Sequence, residues 1–411
     1  MKILHIVGGG LEFGAARGAC LLHEGLIKLG VDSKVLTNSQ NTLRDSSVVS
    51  TLSCGRERIF NSFRIRIDRF PLIFYPRRKK ILFSPAIAGY AFEKHPLYAW
   101  ADIINLHWIN NGFINISSIS KIRKPVVWTM RDMWPMTGGC HLALSCQGYK
   151  IECGKCPQLK SNSNHDLSNF ILKRKKACLL KNMVLVGISS WLTECAKESA
   201  LFRNMRVQTI QNNINTEIFF PVKKENARQE FGILTRKKII LLGAQNLDEP
   251  YKGLDKFVEA VKVLDKDKYY LCLFGNFDKT RICSLGIEYR NFGFLNDNFT
   301  LRTLYSAADV FVASSIMESF GKTLAESMAC GTPVVCFDAT GPRDIVDHKE
   351  NGYRAKPFDP GDIAKGIDWI TDNPEYESLR QNAREKVLKE FDSLVTALRY
   401  KELYKEILAK W

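Results

Sequence analysis

ADVFVASSIMESFGKTLAESMACGTPVVCF, residues 308–337, reads as a strand, a loop, a helix and a second strand. Its two apolar runs, DVFVAS (309–314) and TPVVCFD (332–338), are continuous rather than alternating. That is the pattern of parallel strands covered by helices on both faces. Between them, ESFGKTLAE (318–326) sets Glu318 in the loop and Glu326 about a turn into a helix that starts near Lys322.

The same alternation extends in both directions. Further strands are expected at KKIILLGA (237–244) and YYLCLFG (269–275). An earlier series comprises KILHIV (2–7), SKVLT (33–37), DIINLHW (102–108), PVVWTM (125–130) and MVLVGIS (183–189). Helix-period segments follow most of them, such as Ala16 to Leu29 and Gly253 to Leu264. Two series imply an α/β chain of two Rossmann-like domains across a cleft, with ligands beyond the carboxyl ends of the strands. The polar stretch QNNINTEIFFPVKKEN (211–226) is the hinge. The expected division is 1–215, 216–391, and a terminal helix over 392–411. Tyr400, Leu403, Tyr404, Ile407 and Trp411 give that helix an apolar face. It packs on its own domain or crosses back to the first.

The 411 residues are 45% hydrophobic and 25% charged, which is globular. No apolar run nears the ~20 residues that span a bilayer. MKILHIVGGG reads as a first strand rather than a secretory leader, so a cytoplasmic protein is expected. The net charge of +16 calls for anionic partners. It is concentrated in RERIFNSFRIRIDRFPLIFYPRRKK (56–80), where nine Arg or Lys are interleaved with Ile, Phe and Tyr. That mixture suits an anionic membrane surface; a solvated loop is the other reading.

Several motifs fail. G-x-G-x-x-G from Gly8 would need glycine at 13, where Phe13 stands. FGKT (320–323) would need glycine at 316 to end a P-loop, and Ile316 is there. Asp265-Lys266-Asp267 reads as a turn. The helix start after Gly321 suits a phosphate. Carboxylates repel phosphate, so Glu318 and Glu326 must serve hydroxyls, whose donors an ionised carboxylate accepts. A sugar–diphosphate–ribose has that shape. DEPYKG (248–253) adds Lys252 for the diphosphate, and GGGLEFGAA (8–16) adds a loop that a ligand can approach closely.

These segments resemble retaining nucleotide-sugar glycosyltransferases of the GT-B fold, family 4 type. The resemblance spans the chain and includes NNINTEIFFP (212–221), SAADVFVASS (306–315) and ACGTPVV (329–335). INLHW, WTMRDMWPMTGGCH and ECGKCPQL resemble bacterial enzymes of surface polysaccharide assembly (O-antigen, lipopolysaccharide, colanic acid, capsule). The resemblance implies that Lys252 binds the donor diphosphate, Glu326 the ribose, and Glu318 with the amides of Ser319, Phe320 and Gly321 the donor sugar. Gly14 would lie against the donor phosphate. No cofactor would be required for catalysis. Asn246 stands where many relatives carry Arg. Arg131 stands where many carry His, with Asp132 orienting it; His107 is the other catalytic candidate, or else a satisfied core histidine.

Cys140, Cys146, Cys153 and Cys156 include one C-x2-C pair and could hold a structural zinc, or remain reduced thiols. The leading reading is sugar transfer from a nucleotide sugar to a growing, polyprenyl-diphosphate-linked saccharide at the inner face of a bacterial membrane, with no nucleic-acid partner. The alternatives are a GT-B-fold nucleotide-sugar epimerase, and a basic, zinc-stapled nucleic-acid-binding protein.

Overall fold

The continuous apolar runs form strands because each places Val, Ile and Leu on both faces of a sheet, where helices cover them. The computed structural model describes residues 1–12, 14–41, 45–53 and 55–411. Its chain divides into two compact units, 1–211 with 396–411, and 212–395.

The first unit holds a seven-stranded parallel sheet. Its strands are β1 (Lys2–Val7), β2 (Asp32–Thr37), β3 (Val48–Ser50), β4 (Ile103–Leu106), β5 (Val126–Met130), β6 (Val184–Gly187) and β7 (Arg206–Thr209). They lie in the order β3-β2-β1-β4-β5-β6-β7. The second unit holds six parallel strands. These are β8 (Lys238–Asn246), β9 (Tyr269–Asn276), β10 (Tyr289–Asn291), β11 (Val310–Ala313), β12 (Val334–Phe337) and β13 (Gly352–Ala355), in the order β10-β9-β8-β11-β12-β13. All nine strands expected from the apolar runs are present. The four others, β3, β7, β10 and β13, are the four sheet edges.

The helix Ser393–Lys410 leaves the second unit and covers the first. Its Tyr400, Leu403, Tyr404 and Ile407 pack with Ile3, Leu22, Val127 and Val184. The Tyr404 hydroxyl accepts from Asn105 Nδ2 at 2.6 Å, and the Tyr400 hydroxyl meets Thr129 Oγ1 at 3.1 Å. Both bonds lie in an apolar interior, where an unmade one is costly. Trp411 lies beyond the helix end and is exposed.

Candidate functional site

In the second unit the chain leaves β8 toward β9 on one side and returns to β11 on the other. This reversal opens a crevice at the carboxyl ends of β8 and β11, the usual ligand position of such sheets. The loop after β8 carries Lys252 and the loop after β11 carries Glu318. They meet: Lys252 Nζ donates to Glu318 Oε2 at 2.6 Å, and both side chains are partly exposed. Burial opposes the charge on Lys252, but Glu318 outweighs it and raises the ammonium pKa. The lysine is therefore a fixed cation.

Main-chain bonds hold the two loops together. Ile316 N–H donates to the Tyr251 carbonyl at 2.8 Å. Gly253 has φ +66°, and a Cβ there would overlap the Ser314 carbonyl, so only glycine fits. On the other flank, Gly341 N–H donates to the Glu318 carbonyl at 2.9 Å, and Glu318 N–H donates to Thr340 Oγ1 at 3.3 Å. Thr340 has φ +54°, a strained conformation for a β-branched residue, next to the candidate sugar-binding carboxylate.

The helix Lys322–Ala329 begins at Gly321, φ +108°, with no side-chain cap. Its positive end faces the loop that carries Ser319 and Phe320. Phe320 is buried and packs edge-on against Phe391 with ring centroids 5.4 Å apart, which anchors the loop. Glu326 is buried on this helix. The Tyr305 hydroxyl donates to its Oε2 at 3.3 Å, and Lys322 Nζ stands 3.8 Å from Oε1. Asn246 ends β8, and its Oδ1 accepts from Asp248 N–H at 3.1 Å, so its side chain shapes the turn toward Lys252. Asp265 Oδ1 accepts from Asp267 N–H at 2.9 Å, the expected turn.

The first unit has the same reversal, between β1 and β4. Gly8 N–H donates to the Trp108 carbonyl at 2.6 Å, so a close approach joins the loops after these strands. Gly14, φ +48°, opens the helix Gly14–Lys28, and a Cβ there would meet nothing within 4 Å. Its surroundings are open, so a ligand can come close to this backbone.

His107 is buried. Its Nε2 meets His5 Nδ1 at 2.9 Å, and Nδ1 accepts from Arg131 Nη2 at 3.3 Å. Burial first, then the charge of Arg131, then His5 push its pKa well down. It is a neutral ring that positions the guanidinium, which is the satisfied-histidine reading. The orienting role expected of Asp132 toward Arg131 is corrected. Its Oδ1 accepts from Trp134 N–H at 2.8 Å and its Oδ2 binds His141 Nδ1 at 2.7 Å. The chain turns into a short 3-10 helix at Trp134, and the carboxylate stays on that turn. His141 Nε2 in turn meets Ser84 Oγ at 2.8 Å. A single Asp and a single His nine residues apart in a loop carry no periodic signal, so the pairing emerges only on folding.

Within the basic stretch, Gly55–Arg69 is a helix and Phe70–Phe74 a 3-10 turn, which corrects the solvated-loop reading there; Arg77, Arg78, Lys79 and Lys80 lie on exposed loop, as that reading has it. Its burial is inverted: the helix buries Asn61 and Asp68 and exposes Ile59 (72%) and Phe63 (60%). Asp68 Oδ1 accepts from Ile87 N–H at 2.7 Å, which explains why a carboxylate faces inward. Phe70, Ile73 and Phe74 continue the exposed apolar surface. Cys140, Cys146, Cys153 and Cys156 line one cavity in the loop after β5.

Residues 223–386 match the family described as Glycosyl transferases group 1. That match falls within the second unit, which carries Lys252, Glu318 and Glu326. An uncharacterized glycosyltransferase of Methanocaldococcus jannaschii, MJ1607, is 31% identical over 258 residues, 59% of this chain and 64% of that protein. The N,N'-diacetylbacillosaminyl-diphospho-undecaprenol alpha-1,3-N-acetylgalactosaminyltransferase of Campylobacter jejuni is 28% identical over 203 residues, 47% of this chain and 53% of that protein. The chain spans between about half and two thirds of the length of these curated relatives. The crystal structure of Anabaena Alr3699/HepE in complex with UDP and glucose superposes with TM-score 0.65 at 18% identity, over 99% of this chain and 100% of that one. The fold is GT-B, as expected. Nothing in these likenesses favours the epimerase or the nucleic-acid reading.

Proposed function

We propose that the protein is a retaining glycosyltransferase of family 4 type, which moves a sugar from a nucleotide-sugar donor to a lipid-linked saccharide in bacterial surface polysaccharide synthesis. The observation that carries this reading is the Lys252–Glu318 ion pair at the reversal between β8 and β11. An incoming diphosphate competes with Glu318 for the ammonium. Glu318, released from it, is free to accept hydroxyls of the donor sugar. As the glycosidic bond to the diphosphate breaks, negative charge grows on the leaving oxygen, where Lys252 and the uncapped helix start at Gly321 stabilise it. Glu326 accepts from the ribose hydroxyls. In the first unit, Arg131, held by His107, is the fixed cation of the acceptor-binding domain.

The helix 55–69 and the turn after it are the membrane-facing surface of that domain, on the cytoplasmic side. Two features support this: apolar side chains point outward where Asn61 and Asp68 point inward, and Arg or Lys flank them throughout. Among the described residues no helix is long and apolar enough to cross a membrane. The lipid-linked acceptor rests on the printed name of the Campylobacter relative and on this surface.

Ligand-observed NMR of the purified protein against UDP-, GDP-, TDP- and ADP-sugars tests the donor half. One nucleotide sugar binds selectively, and Lys252→Ala weakens the signal. Binding that survives Lys252→Ala unchanged defeats the donor assignment. Co-sedimentation with vesicles rich in phosphatidylglycerol, compared with neutral vesicles, tests the surface. Retention that is equal for wild type and Phe60→Ser/Phe63→Ser removes it.

A further inference from the structure

The loop between β5 and the helix Leu167–Cys178 sets four cysteines beside a small apolar cluster that includes Leu72, Phe83, Leu159 and Ile171. Cys140, Cys146, Cys153 and Cys156, spread over seventeen residues and several turns, line one cavity of about 20 Å³. That is room for one water-sized occupant. Gly148 N–H donates to Cys146 Sγ at 3.4 Å. A neutral thiol accepts such bonds weakly and a thiolate accepts them well. The C-x2-C turn itself needs two positive φ values, at Gly154 (+146°) and Lys155 (+43°).

A second observation is independent of the cysteines' own geometry. Lys175 is fully buried, and its ammonium lies 3.5 Å from the centre of the Trp134 ring. Its hydrogen bonds go to the main-chain carbonyls of Trp134 and Thr137, which are neutral. Buried ammonium groups are costly without an anion nearby.

We propose that Cys140, Cys146, Cys153 and Cys156 bind one zinc ion as a structural site that closes this loop. Four thiols release their protons to solvent and four Zn–S bonds form. The resulting centre carries a net charge of −2, of which the Lys175 ammonium offsets one unit. No group of three or more His, Cys, Asp or Glu among the described residues already stands in a metal-holding arrangement. Closing the site therefore requires the thiols to rotate about Cα–Cβ into the cavity they line, to Zn–S distances of about 2.3 Å. The four ligands leave no open position, so the ion holds structure and takes no part in sugar transfer.

The test uses the full chain, expressed with zinc in the medium and purified without chelator. Elemental analysis finds about one zinc per chain, the stoichiometry of one tetrahedral site. Exchange with Co²⁺ alone produces thiolate-to-cobalt charge-transfer bands and the strong visible bands of tetrahedral cobalt. Cys153→Ser and Cys156→Ser lose the metal, whereas Cys178→Ser, outside the cavity, keeps it. If the Cys153 and Cys156 variants fail to fold, the cobalt spectrum of the wild type decides alone. A protein without stoichiometric zinc that also shows no cobalt–thiolate bands overturns the proposal. So does zinc retained in both variants, because the metal then sits elsewhere.

Discussion

The reversal between β8 and β11 and the reversal between β1 and β4 share one topology and carry opposite chemistry. At the first, a lysine and a glutamate are charged, paired and partly open to solvent. At the second, two histidines are enclosed and held neutral against a single arginine. The fold therefore sets where a ligand edge lies, and the burial of a few side chains sets what that edge can bind. Partly exposed charge suits a diphosphate. An enclosed chain of neutral rings suits the fixed placement of one cation.

The comparison can be broken most forcefully away from either edge. Asp309 anchors the start of β11: it binds Lys224 Nζ at 2.8 Å and Arg228 Nη2 at 2.7 Å, and accepts Ile239 N–H at 2.6 Å. Burial alone would raise its pKa, but the two cations hold it below the ordinary carboxylate value. Asp309→Ala leaves both cations unpaired and should cost about 3–5 kcal/mol in chemical denaturation. A loss well under 1 kcal/mol would mean that the strand carrying the Glu318 loop is not held this way.

Acid should weaken the first unit through its histidines. His23 is buried between Ser33 and Ser47, and burial lowers its pKa to about 4 from 6.5. A depressed histidine binds fewer protons folded than unfolded, so its stabilisation is complete above pH 6.5 and declines as pH falls toward 4. The slope is about 1.4 kcal/mol per pH unit for each such group. Urea midpoints at pH 7.5 and pH 5, compared for wild type and His23→Gln, measure it. Equal pH dependence in the two proteins would dismiss the neutral-histidine account.

At the charged edge, Lys252→Ala should weaken donor affinity about 10- to 100-fold, the worth of a charge-assisted hydrogen bond. Glu318→Gln should leave affinity nearly unchanged and lower turnover instead, because the diphosphate displaces that carboxylate from the lysine. A titration showing equal losses of affinity in the two variants would collapse the exchange into a single binding unit. The smallest effect is expected at the neutral end. Tyr404→Phe strands Asn105 Nδ2 in the core and should cost about 1 kcal/mol, seen as a small drop in melting temperature. A neutral result there would show that water replaces the hydroxyl.

The apolar runs alone specified nine of the thirteen strands among the described residues. A strand buried on both faces must be hydrophobic throughout, and that is visible residue by residue. The four edge strands, VVS, RVQT, YRN and GYRA, are short and partly exposed, so nothing in their composition separates them from loops. Charge and glycine also marked the chemistry of Lys252, Gly253, Glu318 and Gly321 on single loops. Which of these touch was decided by tertiary structure. Lys252 and Glu318 are 66 residues apart in sequence and meet because β8 and β11 are neighbours in the sheet. Asp132 turned from Arg131 to His141 because the chain bends at Trp134. The outward apolar face of helix 55–69 follows from the amides at Ile87 and Ala88, which hold Asp68 inside. Local hydrophobicity is a property of a segment and can be read from it. A hydrogen bond or an ion pair is a property of two segments, and its partner exists only once the fold has brought them together.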